Sequence, residues 1–166
     1  EFDGFQALLA ADATVIDVVG TSVDASNVIT ELGAVVDAIP SALYGKEDLT
    51  IFVSQNVAKA YVRALGGFGA SGLGASGIES KGTMWYGDQP LYFDGIRVAM
   101  VNGLASNKMV AAQSSNLYFG TGLLDDRNEV KVLDMSNLDG SDNVRVIMRF
   151  FAGVQFGIGA DVVYYA

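Results

Sequence analysis

The stretch that decides the fold runs from Leu49 to Tyr61 and reads Leu-Thr-Ile-Phe-Val-Ser-Gln-Asn-Val-Ala-Lys-Ala-Tyr. Its first five residues are apolar or β-branched, which is typical of a buried strand. Ser54 is a residue type that caps helices, and the helical spacing after it predicts a helix through Leu65, with Gly66 and Gly67 at its C-terminal stop. The residues on the apolar face of that helix are Val57, Ala58, Tyr61 and Leu65. The stretch therefore predicts a buried strand that leads directly into an amphipathic helix.

A second helix is predicted upstream of this stretch. Its apolar residues recur at helical spacing and are Val28, Ile29, Leu32, Val35, Val36 and Ile39. Ser26 or Asn27 can cap its first turn, and Pro40 ends it because proline cannot continue a helix. A shorter helix from Phe2 to Ala11 and an extended run from Thr14 to Val19 are predicted before it.

The composition of the chain changes after the helix predicted through Leu65. Residues Gly66 to Gly77 contain the tetrapeptide Gly-Ala-Ser-Gly twice, and this glycine content predicts an exposed, flexible loop. Short extended runs follow, and the longest, Val144 to Gln155, is predicted to extend beyond a single sheet. The other runs are 83–86, 91–93, 96–101, 109–112, 130–135 and 161–165. We therefore expect an α+β fold with a central mixed or antiparallel sheet flanked by helices.

The composition is that of a globular domain without the commonest catalytic side chains. Of the 166 residues, 51 % are apolar and 17 % are charged, so the chain can bury one sizeable core. It has no cysteine and no histidine, which excludes disulfides, thiolate nucleophiles and imidazole bases. The longest uncharged runs, Ala64 to Ile78 and Met109 to Leu124, are too short and too polar to span a membrane. We expect no enzymatic activity, no catalytic residue, no metal ion and no cofactor.

The net charge of −9 is concentrated at one end of the chain. No Lys or Arg precedes Lys46, and seven acidic residues give the first 45 residues a charge of −7, which leaves −2 for the rest. Binding to nucleic acid through a basic face is therefore not expected. Two interpretations of the acidic stretch stay open. It is a solvated face, or it meets a basic segment of a longer parent chain or of a neighbouring subunit.

A glycine pattern and two carboxylate groupings could carry chemistry, and each has a simpler interpretation. Gly67-Phe68-Gly69-Ala70-Ser71-Gly72 matches the dinucleotide-binding pattern, but it follows a helix instead of a strand. The carboxylate groupings are typical of turns. They are Asp125-Asp126 with Glu129 and Asp134, and Asp139-Gly140-Ser141-Asp142-Asn143. Cation binding, and a hydrolase that uses Asp125, Asp126 or Asp142, are the alternatives for them.

The aromatic pair Trp85 and Tyr86 beside the glycine-rich run allows one further hypothesis. Two aromatic rings can form a platform for a carbohydrate or another ligand. Burial of both rings in a strand is the simpler interpretation.

Four stretches, taken in order, carry a resemblance to a known family. The first joins the helix of residues 27–39 to Leu49-Thr50-Ile51-Phe52-Val53-Ser54 and to residues 56–61, and the second is Leu91-Tyr92-Phe93-Asp94-Gly95-Ile96-Arg97-Val98. The third combines residues 107–112 with 115–121, and the fourth combines 142–150 with 153–157. This order is similar to the C-terminal portion of tailed-bacteriophage major capsid proteins of the Hong Kong 97 type.

The resemblance implies a fold and a function. Residues 26–127 would be mainly axial-domain-like, 1–25 and 128–157 would be peripheral-domain-like and connecting strands, and 158–166 would be a C-terminal strand. The chain would be a structural subunit of an icosahedral tailed-phage or prophage capsid that assembles itself into pentamers and hexamers. A loop near the capsomer axis would hold the candidate assembly residues Gly67, Phe68, Gly69, Gly72, Leu73 and Gly74.

The same resemblance implies partners, a location and an alternative. The partners would be other copies of the chain, with scaffolding, portal or decoration proteins as further candidates, and no membrane. The protein would assemble in the cytoplasm of a bacterial host and reside in the virion capsid. The family's N-terminal arm, extended loop and complete spine helix are not found, and the chain opens on Glu1, so we expect one fragment of a larger chain. An encapsulin-like shell protein is the alternative with the same fold.

Overall fold

A computed structural model describes residues 3–65, 91–121, 129–136, 140, 142–149 and 152–166. The helices are α1 (Phe5–Ala11), α2 (Val28–Asp37) and α3 (Gln55–Ala64). The first five strands are β1 (Ile16–Val18), β2 (Leu49–Val53), β3 (Leu91–Phe93), β4 (Ile96–Met100) and β5 (Met109–Gln113). The others are β6 (Leu117–Thr121), β7 (Glu129–Asp134), β8 (Val144–Arg149), β9 (Ala152–Phe156) and β10 (Val163–Tyr165).

Six strands form a mixed central sheet in the order β1-β10-β5-β2-β4-β3. Strand β2 lies near its middle, where it pairs in parallel with β4 and antiparallel with β5. Its register places Ile51 opposite Val98 of β4 and Ala111 of β5. The predicted α+β architecture with a mixed sheet flanked by helices is confirmed.

The sheet is buried on both faces by different elements. On one face α2 and α3 pack over Ile51, Val53 and Met109, all of which are fully buried. On the other face, α1 and β9 close a smaller core around Leu9, Val110, Ala112, Phe156 and Tyr164. Since β2 is covered on both sides, it lacks the polar alternation of a half-exposed strand. This double cover explains why Leu49–Val53 is an almost continuous apolar run.

Both main helices are found where they were predicted, and Asn27 and Ser54 occupy their N-cap positions, but neither side chain makes a capping hydrogen bond. Before α2, the carboxylate of Asp24 accepts hydrogen bonds from the backbone N–H groups of Ser26 and Asn27, at 2.7 and 3.2 Å, and from the Ser26 hydroxyl. Asn27 occupies the N-cap position without capping through its side chain. Ser54 precedes α3 with an extended backbone, yet its hydroxyl donates to Asn56 Oδ1. An Asx turn at Asp24 and a side-chain contact between Ser54 and Asn56 therefore take the place of the simple caps.

Asn107 joins three segments of the body that are distant in sequence. Its backbone has a φ of +63°, which asparagine tolerates better than most residues. Its Oδ1 accepts hydrogen bonds from the backbone N–H of Val23 and from the side chain of Asn56, and its own N–H donates to Asn56 Oδ1. The approach to α2, the start of α3 and the turn before β5 are thereby held together.

The remaining strands form two antiparallel ribbons of two strands each. Strand β6 pairs with β9, and β7 pairs with β8. The prediction that Val144 to Gln155 extends beyond a single sheet is confirmed, because its two halves, β8 and β9, pair with different strands. The division was not predicted, and neither was β6 as a strand. Residues Gly159–Asp161 form a 3₁₀ turn, so the last strand is shorter than predicted.

Candidate assembly surface

One face of the β7–β8 ribbon is apolar except at one end, where Asp134 shares it. The sequences Glu-Val-Lys-Val-Leu-Asp and Val-Arg-Val-Ile-Met-Arg alternate, and the register aligns their apolar positions. Val130 pairs with Met148, Val132 pairs with Val146, and Val144 lies opposite Asp134. Side chains on paired residues share a face of a sheet, so five apolar side chains line one side. We name this surface the ribbon face and define it as Val130, Val132, Val144, Val146 and Met148.

The ribbon face is open to solvent. Each of its five side chains is between 54 and 65 % exposed. Neighbouring apolar side chains that are all more than half exposed form a patch and are not scattered single residues. Such an apolar patch is typical of an interaction site, whereas scattered single apolar residues are normal on any surface.

The opposite side of the same ribbon is mixed in character. On this side Lys131 pairs with Ile147, and Leu133 pairs with Arg145. Such a mixture of charged and apolar side chains is typical of a strand face that contacts solvent. Asp134 lies at the end of the ribbon, where its Oδ1 accepts a hydrogen bond from the backbone N–H of Ser136 at 2.9 Å. Hydrogen bonding by Ser136 lowers the pKa of this carboxyl group. The charged side chains of the described ribbon therefore lie at the end of the ribbon face or on the opposite side of the ribbon.

The β6–β9 ribbon begins in the second core and ends in solvent. Leu117 and Phe156 pair at its inner end, where Phe156 is buried and Leu117 is partly buried. Two positions further out, Phe119 pairs with Val154 and is 67 % exposed. Tyr118, on the other face, is 56 % exposed. The ribbon thus carries a second, smaller apolar surface outward from the body.

The acidic stretch of the first 45 residues is divided between structural and exposed carboxylates. Glu31 is half-buried and accepts a hydrogen bond of 2.8 Å from the hydroxyl of Tyr165. Desolvation is the main cause of the raised pKa of that phenol. Asp24 is bound by Ser26 and Asn27, and these hydrogen bonds lower its pKa, the Ser26 hydroxyl most of all. Asp17 and Asp37 are exposed on the surface of the body.

Most of the residues predicted to act in a site lie outside the part of the chain that the structure describes. These are Gly67, Phe68, Gly69, Gly72, Leu73 and Gly74 of the assembly loop, Trp85, Tyr86, Asp125, Asp126 and Asp139. Asp142 is described and exposed, and Asp134 lies in a turn-like hydrogen bond. Among the described residues, no three histidine, cysteine, aspartate or glutamate side chains group closely enough to hold a metal ion. Within the same ranges, no helix is long and apolar enough to cross a membrane.

Sequence reasoning missed the ribbon face, although a signal for it exists. Val130 and Val132 alternate with polar residues, and so do Val144, Val146 and Met148 if Ile147 is set aside. Such alternation predicts that one side of each strand is buried. The sequence does not say that the two strands pair with each other, or that the described residues leave their shared face uncovered.

Solved structures with the same architecture are found among phage and virus-like particles. A chain from Mycobacterium phage Che8 matches 92 % of this chain with a TM-score of 0.66 and 14 % identity. A chain from the satellite phage P4 procapsid with its size determination (Sid) protein matches 99 %, with a TM-score of 0.59 and 12 % identity. A chain from a virus-like particle of Pyrococcus furiosus matches 97 %, with a TM-score of 0.56 and 8 % identity.

This chain has the fold of phage capsid proteins of the Hong Kong 97 type. It spans about half the length of these capsid chains, at 53 % of the Che8 chain and 51 % of the P4 chain. No protein-family model and no curated protein matches the sequence. The capsid fold is therefore established by the shape of the backbone, at a sequence identity far below the level at which a sequence comparison finds it.

Proposed function

We propose that this chain is part of a structural subunit of an icosahedral tailed-phage or prophage capsid. The observation that carries the proposal is the extent of the match, because 92 to 99 % of the chain follows the backbone of the Che8 and P4 procapsid chains. The subunit assembles with copies of itself into pentamers and hexamers. Its location is the virion capsid, after assembly in the bacterial cytoplasm, and scaffolding, portal or decoration proteins are further partners.

The proposed mechanism is association through repeated surfaces, with no covalent chemistry. Apolar area and shape complementarity supply the free energy of such contacts. The ribbon face and the exposed Phe119 are surfaces of this kind. We retain the glycine-rich residues 67–74 as an assembly loop near the capsomer axis, and the division into axial-like residues 26–127 and peripheral-like residues 1–25 and 128–157. The match to about half of each capsid chain supports the view that the chain is one fragment of a larger subunit.

The second candidate is an encapsulin-like shell protein. It is supported by the match to a virus-like particle from Pyrococcus furiosus, in which the same fold forms a particle. The two candidates predict different contents and different neighbours for the shell. Electron microscopy of shells purified from cells distinguishes them, since a phage capsid carries a portal and packaged DNA whereas an encapsulin-like shell carries protein.

The experiment that tests the proposal is electron microscopy of the full-length parent chain, expressed with its genomic neighbours, together with light scattering on this chain alone. We expect closed shells or rings with five-fold or six-fold symmetry from the parent, and small species from this chain alone. A parent chain that stays monomeric under every condition would contradict the proposal. Saturable stabilisation by a sugar that Trp85→Ala removes would instead favour a ligand-binding module. A hydrolytic activity lost on Asp142→Asn would favour an enzyme.

A further inference from the structure

The segment between β4 and β5 contains the only asparagine of the sequence that is followed by glycine, Asn102. Every other asparagine precedes valine, lysine, leucine or glutamate. The carbonyl carbon of an asparagine side chain, Cγ, can be attacked by the backbone nitrogen of the next residue, because the two atoms close a five-membered ring. A side chain on that next residue obstructs the approach, whereas glycine has none and reaches more backbone conformations.

The structure leaves both reacting groups of this pair accessible. Asn102 and Gly103 are exposed and lie in a turn. Neither the side chain of Asn102 nor the N–H of Gly103 is hydrogen-bonded to a residue that the structure describes. A Cβ atom added at Gly103 would meet no atom within 4 Å. The ring can therefore close without breaking a hydrogen bond of the described body.

We propose that Asn102 is a site of spontaneous deamidation in the folded chain, with the backbone nitrogen of Gly103 as the nucleophile and water as the co-reactant. The inference goes beyond the proposed function and does not depend on it. It assigns a covalent modification to the turn that follows β4.

The reaction has two steps. The Gly103 N–H gives up its proton, and its nitrogen forms a bond to Cγ of Asn102. The bond between Cγ and Nδ2 breaks, and Nδ2 takes up the proton and leaves as ammonia. Water then opens the resulting succinimide ring at one of its two carbonyl groups, which gives aspartate or isoaspartate. No group is oxidised or reduced.

Asn107, in the same segment, is held in a way that prevents this reaction. Its Oδ1 accepts hydrogen bonds from the backbone N–H of Val23 and from the side chain of Asn56. The nitrogen that would attack it belongs to Lys108 and already donates to the carbonyl oxygen of Ala105, at 3.3 Å. Both reacting groups of Asn107 are therefore engaged, and a side chain follows them. The two asparagines form a natural comparison within one turn region.

Two further positions are expected to react more slowly than Asn102. Asn116 is buried, and its side chain both donates to and accepts from the backbone of Ile158, each at 2.8 Å. Asp94 precedes Gly95 in the tight turn between β3 and β4, where both residues have positive φ. The oxygen of a carboxylate is a poorer leaving group than the nitrogen of an amide, so aspartate forms the same ring more slowly.

The modification should change the surface without unfolding the body. Either product adds one negative charge to a chain whose net charge is −9, and isoaspartate also lengthens the backbone by one methylene group. The side chain of Asn102 is exposed, so its conversion removes no buried contact. We expect Asn102→Asp to have the same melting temperature as the unmodified chain.

The first test follows the purified chain by peptide mass spectrometry during incubation in mildly alkaline buffer. Trypsin cleaves after Arg97 and Lys108, so one peptide, residues 98–108, contains both Asn102 and Asn107. We expect a mass gain of about 1 Da on this peptide, which fragment ions assign to Asn102. The rate should rise with pH, because the attacking nitrogen must lose its proton.

Gly103→Ala is the matched control. The new methyl group has space in the fold, and the φ of Gly103 is not in the left-handed region, so the body should fold as before. The methyl group should slow deamidation of Asn102 by about tenfold or more, because fewer backbone conformations bring the nitrogen to Cγ. An equal rate in the two chains would mean that water hydrolyses the side-chain amide directly, which overturns the inference.

The second test compares the folded chain with a synthetic peptide of residues 98–108. An exposed turn without hydrogen bonds to the reacting groups should react within about tenfold of the peptide rate. A folded chain that stays unmodified while the peptide reacts overturns the inference, since the native turn would then keep the two groups apart. Equal mass gain at Asn102 and Asn107 also overturns it, because the reaction would then proceed through unfolding. These outcomes leave the capsid proposal intact, since that proposal is tested by assembly of the parent chain.

Discussion

Strands β2 and β8 have similar sequences and opposite surroundings. Leu-Thr-Ile-Phe-Val in β2 and Val-Arg-Val-Ile-Met-Arg in β8 are both rich in β-branched and apolar residues. In β2, Ile51 and Val53 are fully buried between helices and the second core, whereas in β8 Val146 and Met148 are more than 60 % exposed. The comparison teaches that an apolar strand pattern reports a need for burial without identifying the partner that provides it.

The largest expected difference between the two strands is in the rate of amide hydrogen exchange. Amides of β2 exchange only through unfolding of the body, whereas amides of a two-stranded ribbon exchange through local opening. At low protein concentration we expect the ribbon amides to exchange about 1,000-fold faster or more. Protection of β7 and β8 that rises with protein concentration would place a second copy on the ribbon. Equal protection in both strands at every dilution would contradict the comparison.

Truncation of one side chain in each strand should give the next largest difference. Ile51→Ala leaves a cavity in the doubly covered core, so the free energy of unfolding should fall by about 2–5 kcal/mol. Val132→Ala removes a side chain that is mostly in water, so the effect on the dilute chain should stay within about 0.5 kcal/mol. Urea denaturation measures both. A loss of similar size for Val132→Ala would mean that the ribbon face is covered within the chain.

A substitution at Gly20 tests how tightly the body is packed at the end of the central sheet. A Cβ atom at Gly20 would lie 2.7 Å from Cζ of the buried Tyr165 ring and 2.9 Å from the carbonyl oxygen of Ala166. Gly20→Ala should therefore lower the free energy of unfolding by about 1–3 kcal/mol. Gly33→Ala in α2 is the control, because its Cβ meets no atom within 4 Å. The control should gain about 0.5–1 kcal/mol, the usual benefit of alanine over glycine inside a helix.

The smallest expected effect concerns Asp24 and its dependence on pH. Asp24→Ala removes the acceptor at the start of α2 and should lower the melting temperature at pH 7 by about 2–4 °C. Hydrogen bonding depresses the pKa of Asp24 in the folded state, so its contribution is present above the unfolded value of about 3.9. The contribution is lost as the pH falls through the folded pKa.

We therefore expect the difference in melting temperature between Asp24→Ala and the unmodified chain to shrink as the pH is lowered from 7 to 2. Thermal unfolding measures this difference. Asp37→Ala is the control, since Asp37 ends α2, where a negative charge opposes the helix dipole. It should leave the stability equal or slightly higher. A difference in melting temperature that stays constant with pH would mean that Asp24 acts through the conformation of the backbone turn and not through its ionised carboxylate.

The elements around Leu49 to Tyr61 were predictable because local chemistry specifies them. A continuous apolar run, a break at Ser54 and an amphipathic spacing leave few alternatives. The helix starts were less predictable, since Asp24 and Asn56 offer hydrogen bonds that compete with a cap by the adjacent residue. Of the candidate site, the assembly loop at Gly67 to Gly74 stays a prediction. The ribbon face was not predicted, because it depends on the pairing of residues as far apart as Val130 and Met148.

By itself, the sequence determined the α+β class, the two main helices, the absence of cysteine and histidine chemistry and the acidic first 45 residues. Each follows from composition or from spacing within about fifteen residues. Only the tertiary structure decided that β2 lies near the middle of the sheet, that β8 and β9 pair with different strands, and which apolar face is uncovered. Strand pairing depends on contacts between distant residues. Short apolar runs resemble one another, so only the assembled fold selects the partner of each.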